Sequence, residues 1–311
     1  MDNYSYDILS ALKEQYIAIC GQKAFQIQDG GANISARQFY LKELNDNLIE
    51  PMSEKVLHAY SKGSGNELSN KMLALRSSSA MTYNLLGNGF VNFRGDDSIG
   101  AGRYEVSFEK QLHTLRKSKG GLPANLDAFL YCKENQEAIA CEMKMTEWIF
   151  NRPCTLRNAY MMPDNYDNLM AATAFIEAAK NIIDPQVTAV TQYVSAFRRY
   201  DAFQMIKHAL ACYNACQEQI SSIKKLTLIN CVWEFPDINV LKLNNRMHYK
   251  MQLLQEHQEF DVFYVAIQPI ILLFWEAGIV FDIRYYSLSD FMKTMSLSDN
   301  TKQYLKRYTF R

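Results

Sequence analysis

The chain has 311 residues with 33 basic and 33 acidic side chains, giving a formal charge of zero at pH 7. At 48% apolar and 21% charged it can bury a full core, which excludes a disordered or low-complexity protein. Neutrality excludes a binder of nucleic acid driven by bulk positive charge, but leaves room for a local basic groove. Seven cysteines with no CxxC pair read as reduced thiols in a cytoplasmic protein, and no basic segment precedes an apolar stretch at the N-terminus as in a signal peptide.

Residues 1–60 read as helices, YDILSALKEQYIAICGQKAF and then ARQFYLKELNDNLIEPMSEKVLHAY, and form a helical N-terminal extension to a domain spanning residues 61–311. Lys62-Gly63-Ser64-Gly65-Asn66 is a turn that opens another helix through about Leu86, closed by Gly87-Asn88-Gly89. The period then changes. In residues 104–112 Tyr104, Val106 and Phe108 alternate with Glu105, Ser107 and Glu109, which predicts a strand. ANLDAFLYC and AIACEMKM are a second and third, joined by tight turns into an antiparallel meander.

Further on, the pattern predicts a loop and helix through about Lys180, a long helix from about Val190 to Glu218, and a strand over 226–235. A helix around 239–257 comes next, then strands near 261–273 and 278–286, and a basic C-terminal helix. The apolar run VFYVAIQPIILLFW, residues 262–275, is too short to span a membrane and contains Gln268-Pro269; it reads as a buried strand. The layout is α/β, a central mixed sheet flanked by helices.

Asp127 interrupts the apolar strand Leu126–Leu130, and fourteen residues separate it from Glu142. Alternation puts Glu142 and Lys144 on one face of their strand and Ile139, Cys141, Met143 and Met145 on the other. Two neighbouring carboxylates repel each other and lose hydration unless a cation sits between them. Mg²⁺ suits such a pair, taking one or two carboxylates plus water and substrate phosphate. A lysine two positions on can hold or deprotonate an attacking water and offset charge in the transition state. The bland alternative is a solvated salt-bridging face.

Asp…Glu-x-Lys on consecutive strands resembles the PD-(D/E)XK nuclease superfamily, whose fold is restriction-endonuclease-like. A narrower resemblance, to a bacterial restriction endonuclease family, is carried by HAYSKGSGNEL (58–68), KMLALRSSSAMTYNLLG (71–87), FEKQL (108–112), LPANLDAFL (122–130) and IACEMKMTE (139–147). YDAFQMIKHALA (200–211) fits more loosely, and the first 50 residues carry none of it. The resemblance implies a nuclease hydrolysing phosphodiester bonds in DNA with Mg²⁺ or Mn²⁺. Asp127 and Glu142 would bind the metal beside the Met143 carbonyl, and Lys144 would be the catalytic lysine. A further acid would be Glu67 or, as its rival, Glu109. Symmetric duplex cutting would take two sites, hence a homodimer.

Gln204 shares a helical face with Tyr200 and His208, either as a site residue or as part of a polar stripe. Ser77, Ser78 and Ser79 can bond phosphate or cap and pack their helix, and the second is the reading preferred. Residues 61–150 carry 11 basic against 10 acidic groups, so the candidate core is weakly positive. Arg116, Lys117 and Lys119 are candidate phosphate contacts, as are Arg198-Arg199 and Lys224-Lys225. One rival is a non-catalytic binding module of the same fold. A second is an unrelated enzyme using Lys144 as a nucleophile.

Overall fold

A computed structural model describes residues 3–27, 36–62, 67–116, 122–150, 153–187, 191–218 and 222–310. The chain starts with helix α1, Asn3–Cys20, followed after short 3₁₀ turns by α2, Glu54–Lys62, and α3, Ser78–Leu86. An antiparallel meander follows: β1 Phe90–Phe93, β2 Gly102–Leu112, β3 Ala124–Cys132 and β4 Glu137–Lys144. A small two-stranded ribbon of β5, Thr155–Arg157, and β6, Gln192–Val194, brackets helix α4, Leu169–Lys180. Helix α5, Ala202–Glu218, then leads into β7, Lys225–Val232, which pairs parallel to β4. Helices α6, Leu243–Ala266, and α7, Gln268–Glu276, cross to β8, Val280–Ser287, parallel to β7, and α8, Leu288–Lys293, and α9, Asp299–Thr309, end the chain.

The result is α/β: one mixed six-stranded sheet in the order β1-β2-β3-β4-β7-β8 with helices on both faces. β4 lies at its centre and is buried on both faces, with Ile139, Cys141, Met143 and Met145 in one core and Ala138 and Ala140 in the other. The first core joins the sheet to α1, α3, α8 and α9; the second joins it to α4, α5 and α7. Tyr4, Ile8, Leu12 and Tyr16 of α1 are part of the first core, where α1 packs chiefly against α9. Arg307 of α9 is fully buried there, donating to the Asn47 side chain at 2.5 Å and lying over the Tyr16 ring.

Several elements differ from the sequence expectations. The run 262–275 is not a strand but the end of α6 and the whole of α7, because Gln268-Pro269 starts a new helix, where proline's missing N–H costs nothing. A continuous apolar run carries no period that separates strand from helix. The expected helix from Val190 begins only at Ala202; before it, β6 pairs with β5, and residues 188–190 lie outside the described residues. Residues 36–53 hold two short 3₁₀ turns, Ala36–Phe39 and Leu44–Asn47, and no α-helix, since buried Asn47 donates to the carbonyls of Met72 and Ala74 and ties the chain to a neighbouring segment. The helix expected from residue 66 is reduced to α3, capped by Ser77 and closed by Gly87 at φ 69°. The turn at 63–66 lies outside the described residues. Among the described residues no single helix is long and apolar enough to cross a membrane; α6 and α7 pass that test only as a pair bent by 45°.

Candidate active site

The site begins with a break in the sheet. The β2–β3 ladder runs from Glu105↔Tyr131 to Phe108↔Ala128, omits Glu109 and Asp127, and resumes at Lys110↔Leu126. Glu109 has a left-handed backbone, φ 49°, uncommon away from glycine. The strands also exchange faces here. Phe108, Ala128 and Leu130 belong to the first core, whereas Leu112, Ala124 and Leu126 belong to the second, which strict alternation would forbid. The β3–β4 ladder ends at Ala128↔Cys141, so the Met143 N–H has no main-chain partner on β3 and donates instead to the side chain of Asp127, at Oδ2, at 2.7 Å. The N–H and C=O of a strand residue point to the same side, so the Met143 carbonyl opens toward the same gap.

Glu142 and Lys144 face α5, as alternation predicts. Glu142 is 4% exposed and fully engaged. Its Oε1 lies 2.7 Å from Lys144 Nζ and accepts from Gln204 Nε2 at 2.8 Å, and its Oε2 is 3.0 Å from His208 Nε2. Lys144 Nζ also donates to Gln204 Oε1 at 2.6 Å, so one glutamine bridges the acid and the lysine. The start of α5 is fixed in two ways. The Asp201 side chain accepts from the Gln204 N–H at 3.0 Å. Glu259 of α6 accepts from the successive N–H groups of Arg198, Arg199 and Tyr200.

The electrostatics follow from burial and neighbours. Burial pushes the Asp127 carboxyl well above its usual range, and the charge of Glu142 pushes it further. Burial acts on Glu142 the same way, but Lys144 and His208 outweigh it and hold Glu142 below its usual value. Lys144 is also penalised by burial, yet Glu142 and Asp201 overcome this and keep it an ammonium. Burial raises Glu109 to about 7, partly offset by its hydrogen bond from Asn125 and reinforced by Glu67 and Glu142.

Glu67 is buried too, held by Lys71 at 2.7 Å and by the Ser79 hydroxyl at 2.8 Å. Glu109 thus stands within electrostatic reach of the Asp127–Glu142 pair, and Glu67 acts on Glu109 and shares a cavity wall with Asp127. Glu105, by contrast, is exposed and paired with Lys55.

Two polar cavities flank these residues. One of about 660 Å³ is lined by Glu67, Lys71, Arg76, Ser77, Asp127 and Glu147, among others. The other, about 450 Å³, is lined by Asn125, Asp201, Gln204, Lys207 and His208, among others. Of the candidate phosphate contacts, Arg116 is bound to Asp167 at 3.0 Å, Arg198 to Asp184 and Lys225 to Glu137. Lys117 and Lys119 lie outside the described residues. Ser77 caps α3 through the Ala80 N–H, the structural role expected of it.

His208, 2% exposed, is the functional candidate the sequence undervalued. Its place four residues after Gln204 was the available signal. Its Nδ1 has no hydrogen-bond partner among the described residues. Among those residues the trio His113, Asp167 and Glu218 has ligand atoms within 4.8 Å of one another, but two of its members are exposed and Asp167 already holds Arg116.

Behind Lys144, Glu256 of α6 is 1% exposed and its Oε2 has no hydrogen-bond partner among the described residues. Burial and the charge of Glu259 raise it to about 8. Between roughly pH 4.5 and 8 the folded protein therefore keeps a proton that the unfolded chain has released, so stability falls as pH rises through that window. Melting temperature is expected to decline across it, and Glu256→Gln to make the decline shallower. An unchanged slope in the variant would show that Glu256 does not carry this proton.

Compared with known proteins, the chain matches no family model, no curated protein and no solved structure.

Proposed function

We propose that this protein is a metal-dependent nuclease that hydrolyses DNA phosphodiester bonds on a restriction-endonuclease-like core of the PD-(D/E)XK superfamily, acting in the cytoplasm. The observation that carries this is the convergence of Asp127, Glu142 and Lys144, with Gln204 and His208 bound to Glu142, where the sheet opens between two polar cavities. The donor set fits a hard divalent cation. Buried Glu142 and half-buried Asp127 are oxygen donors that repel each other, a repulsion that a bound cation relieves. Mg²⁺ or Mn²⁺ would be held by Asp127 and Glu142, with the Met143 carbonyl and Glu109 or Glu67 as further candidates. When bound, such an ion supplies Lewis acidity toward the phosphate and a more acidic water.

The protein's own groups do the rest. Lys144, held as a cation, hydrogen-bonds the attacking water and stabilises the negative charge that grows on the phosphate oxygens. Gln204 fixes its direction, and His208 fixes the carboxylate of Glu142. Arg76 on one side of the site and Lys207 on the other offer cations to the flanking phosphates. A charged Lys144 also argues against the amine-nucleophile alternative, which needs a free amine.

Plasmid and single-stranded DNA incubated with Mg²⁺, Mn²⁺ or EDTA test the proposal. Cutting that needs the metal is expected. Intact DNA in every lane, with no metal-induced rise in melting temperature, would favour the non-catalytic binding module instead. His208→Ala is expected to weaken Mg²⁺ binding and cleavage by about 10–100-fold, the usual effect of removing a group that orients a metal ligand. The check is a metal titration of the cleavage rate; a change under about twofold would leave His208 a packing residue by the same yardstick.

A further inference from the structure

Helix α6 wears its apolar residues on the outside. Tyr249, Gln252, Glu256 and Phe263 face inward, two of them polar, whereas Leu243, Met247, Met251, Leu254, Val262 and Val265 are between 49% and 70% exposed. These six recur every three or four positions, apart from Gln258, which fills the one gap, and they form a single stripe. From Leu243 to Val265 it runs roughly 33 Å along the helix. It ends where the chain bends by 45° into α7. Scattered exposed apolar residues are ordinary, but a row over six turns broken only at Gln258 marks a contact surface.

We propose that this stripe is the interface with a second copy of the chain, two α6 helices packing antiparallel about a two-fold axis at Leu254. The register follows from the sequence. In an antiparallel pair centred on residue 254, Leu254 meets its own copy, Leu243 meets Val265 of the other copy, and Met247 meets its Asp261–Val262 segment. Every large apolar residue at the ends and centre then finds an apolar partner. Charge selects the same arrangement. Lys250 and Asp261 are exposed on the same flank of the stripe, and neither has an ion-pair partner among the described residues. A two-fold axis perpendicular to the helices keeps that flank facing itself and sets Lys250 beside Asp261 of the other copy, twice over. A parallel pair would instead leave Lys250 and Asp261 of the two copies roughly 16 Å apart along the axis.

The size is also sufficient. With roughly 100 Å² accessible on each half-exposed side chain, twelve of them bury on the order of 1,200 Å², the lower bound of stable interfaces. A lipid surface is a poorer occupant, because Gln258 and Asp261 lie along the stripe and no lysine cluster flanks it. The proposal does not rest on the nuclease function.

Sedimentation equilibrium of the full chain is expected to give twice its 35.9 kDa mass. Leu254→Glu, which places two carboxylates at the axis, is expected to weaken association at least tenfold while leaving the melting curve nearly unchanged, since Leu254 is 49% exposed. Lys250→Asp and Asp261→Lys should each weaken it, and the double variant should restore it. Under oxidation Leu254→Cys is expected to cross-link two copies, whereas Leu243→Cys, whose two copies lie some 33 Å apart, is not. A monomeric wild type, or a dimer that Leu254→Glu leaves intact, would overturn the proposal. So would cross-linking by Leu243→Cys but not by Leu254→Cys. Binding of phosphatidylserine vesicles by a chain that stays monomeric would overturn it in favour of a membrane surface.

Discussion

Lys144→Ala is expected to lower metal-dependent DNA cleavage by about 10²–10³-fold, the loss seen when one preorganised donor is removed from a developing anion. The effect is large because nothing near the site can replace the ammonium. Gln204 carries no charge, Lys71 is held by Glu67 at 2.7 Å, and Arg76 and Lys207 stand on the outer walls of the cavities, where they face the flanking phosphates. The fold should survive, since Glu142 retains Gln204 and His208 as hydrogen-bond partners. The carboxylate will nonetheless lose the cation that offsets its burial, so its pKa should climb back. Single-turnover cleavage at saturating Mg²⁺ reads the catalytic loss, and a melting curve confirms folding. Cleavage within a few-fold of wild type would move the active centre away from β4.

Asp127→Asn is expected to do two opposite things: abolish cleavage and stabilise the protein in the absence of metal. The side chain can still accept the Met143 N–H, so the local geometry holds. It cannot ionise, so the conflict with Glu142 disappears. The sign follows from the raised pKa. A carboxyl that folding pushes up is comfortable only while protonated, so its contribution to stability is lost as pH rises from the unfolded value toward the folded one. At neutral pH the variant should therefore be more stable than wild type by about 0.5–2 kcal/mol, within the usual range for relieving strain at an active site. It should also lose the rise in melting temperature that Mg²⁺ gives the wild type. Calorimetry with and without Mg²⁺ measures both. A destabilised variant that still responds to the metal would remove Asp127 from the binding site.

The same pair of residues shows why the site was partly legible. An acid inside Leu126–Leu130 is costly unless it has a use, and the two-residue spacing of Glu142 and Lys144 forces a common face on any strand. Both are local, and the common face is seen directly: the two side chains meet at 2.7 Å. Which further acid approaches them is not local. Glu67 and Glu109 are far apart in sequence, and their places depend on the left-handed backbone at Glu109 and on Ser79 of α3 holding Glu67. His208 likewise acquires its role only when α5 docks against β4.

The elements divide the same way. The sequence by itself determined the α/β character, the strands β2, β3, β4 and β7, and the partnership of Glu142 with Lys144, because alternation is a property of a single strand. Tertiary structure alone decided that residues 262–275 are helical, that β6 pairs with β5 where a helix was expected from Val190, and that β2 and β3 exchange faces at Glu109 and Asp127. A continuous apolar run fits a strand or a helix equally well, and a three-residue strand has too few positions to show a period. The face exchange needs two strands to separate at once. Each of these outcomes depends on what packs against the segment, a quantity that no window of neighbouring residues contains.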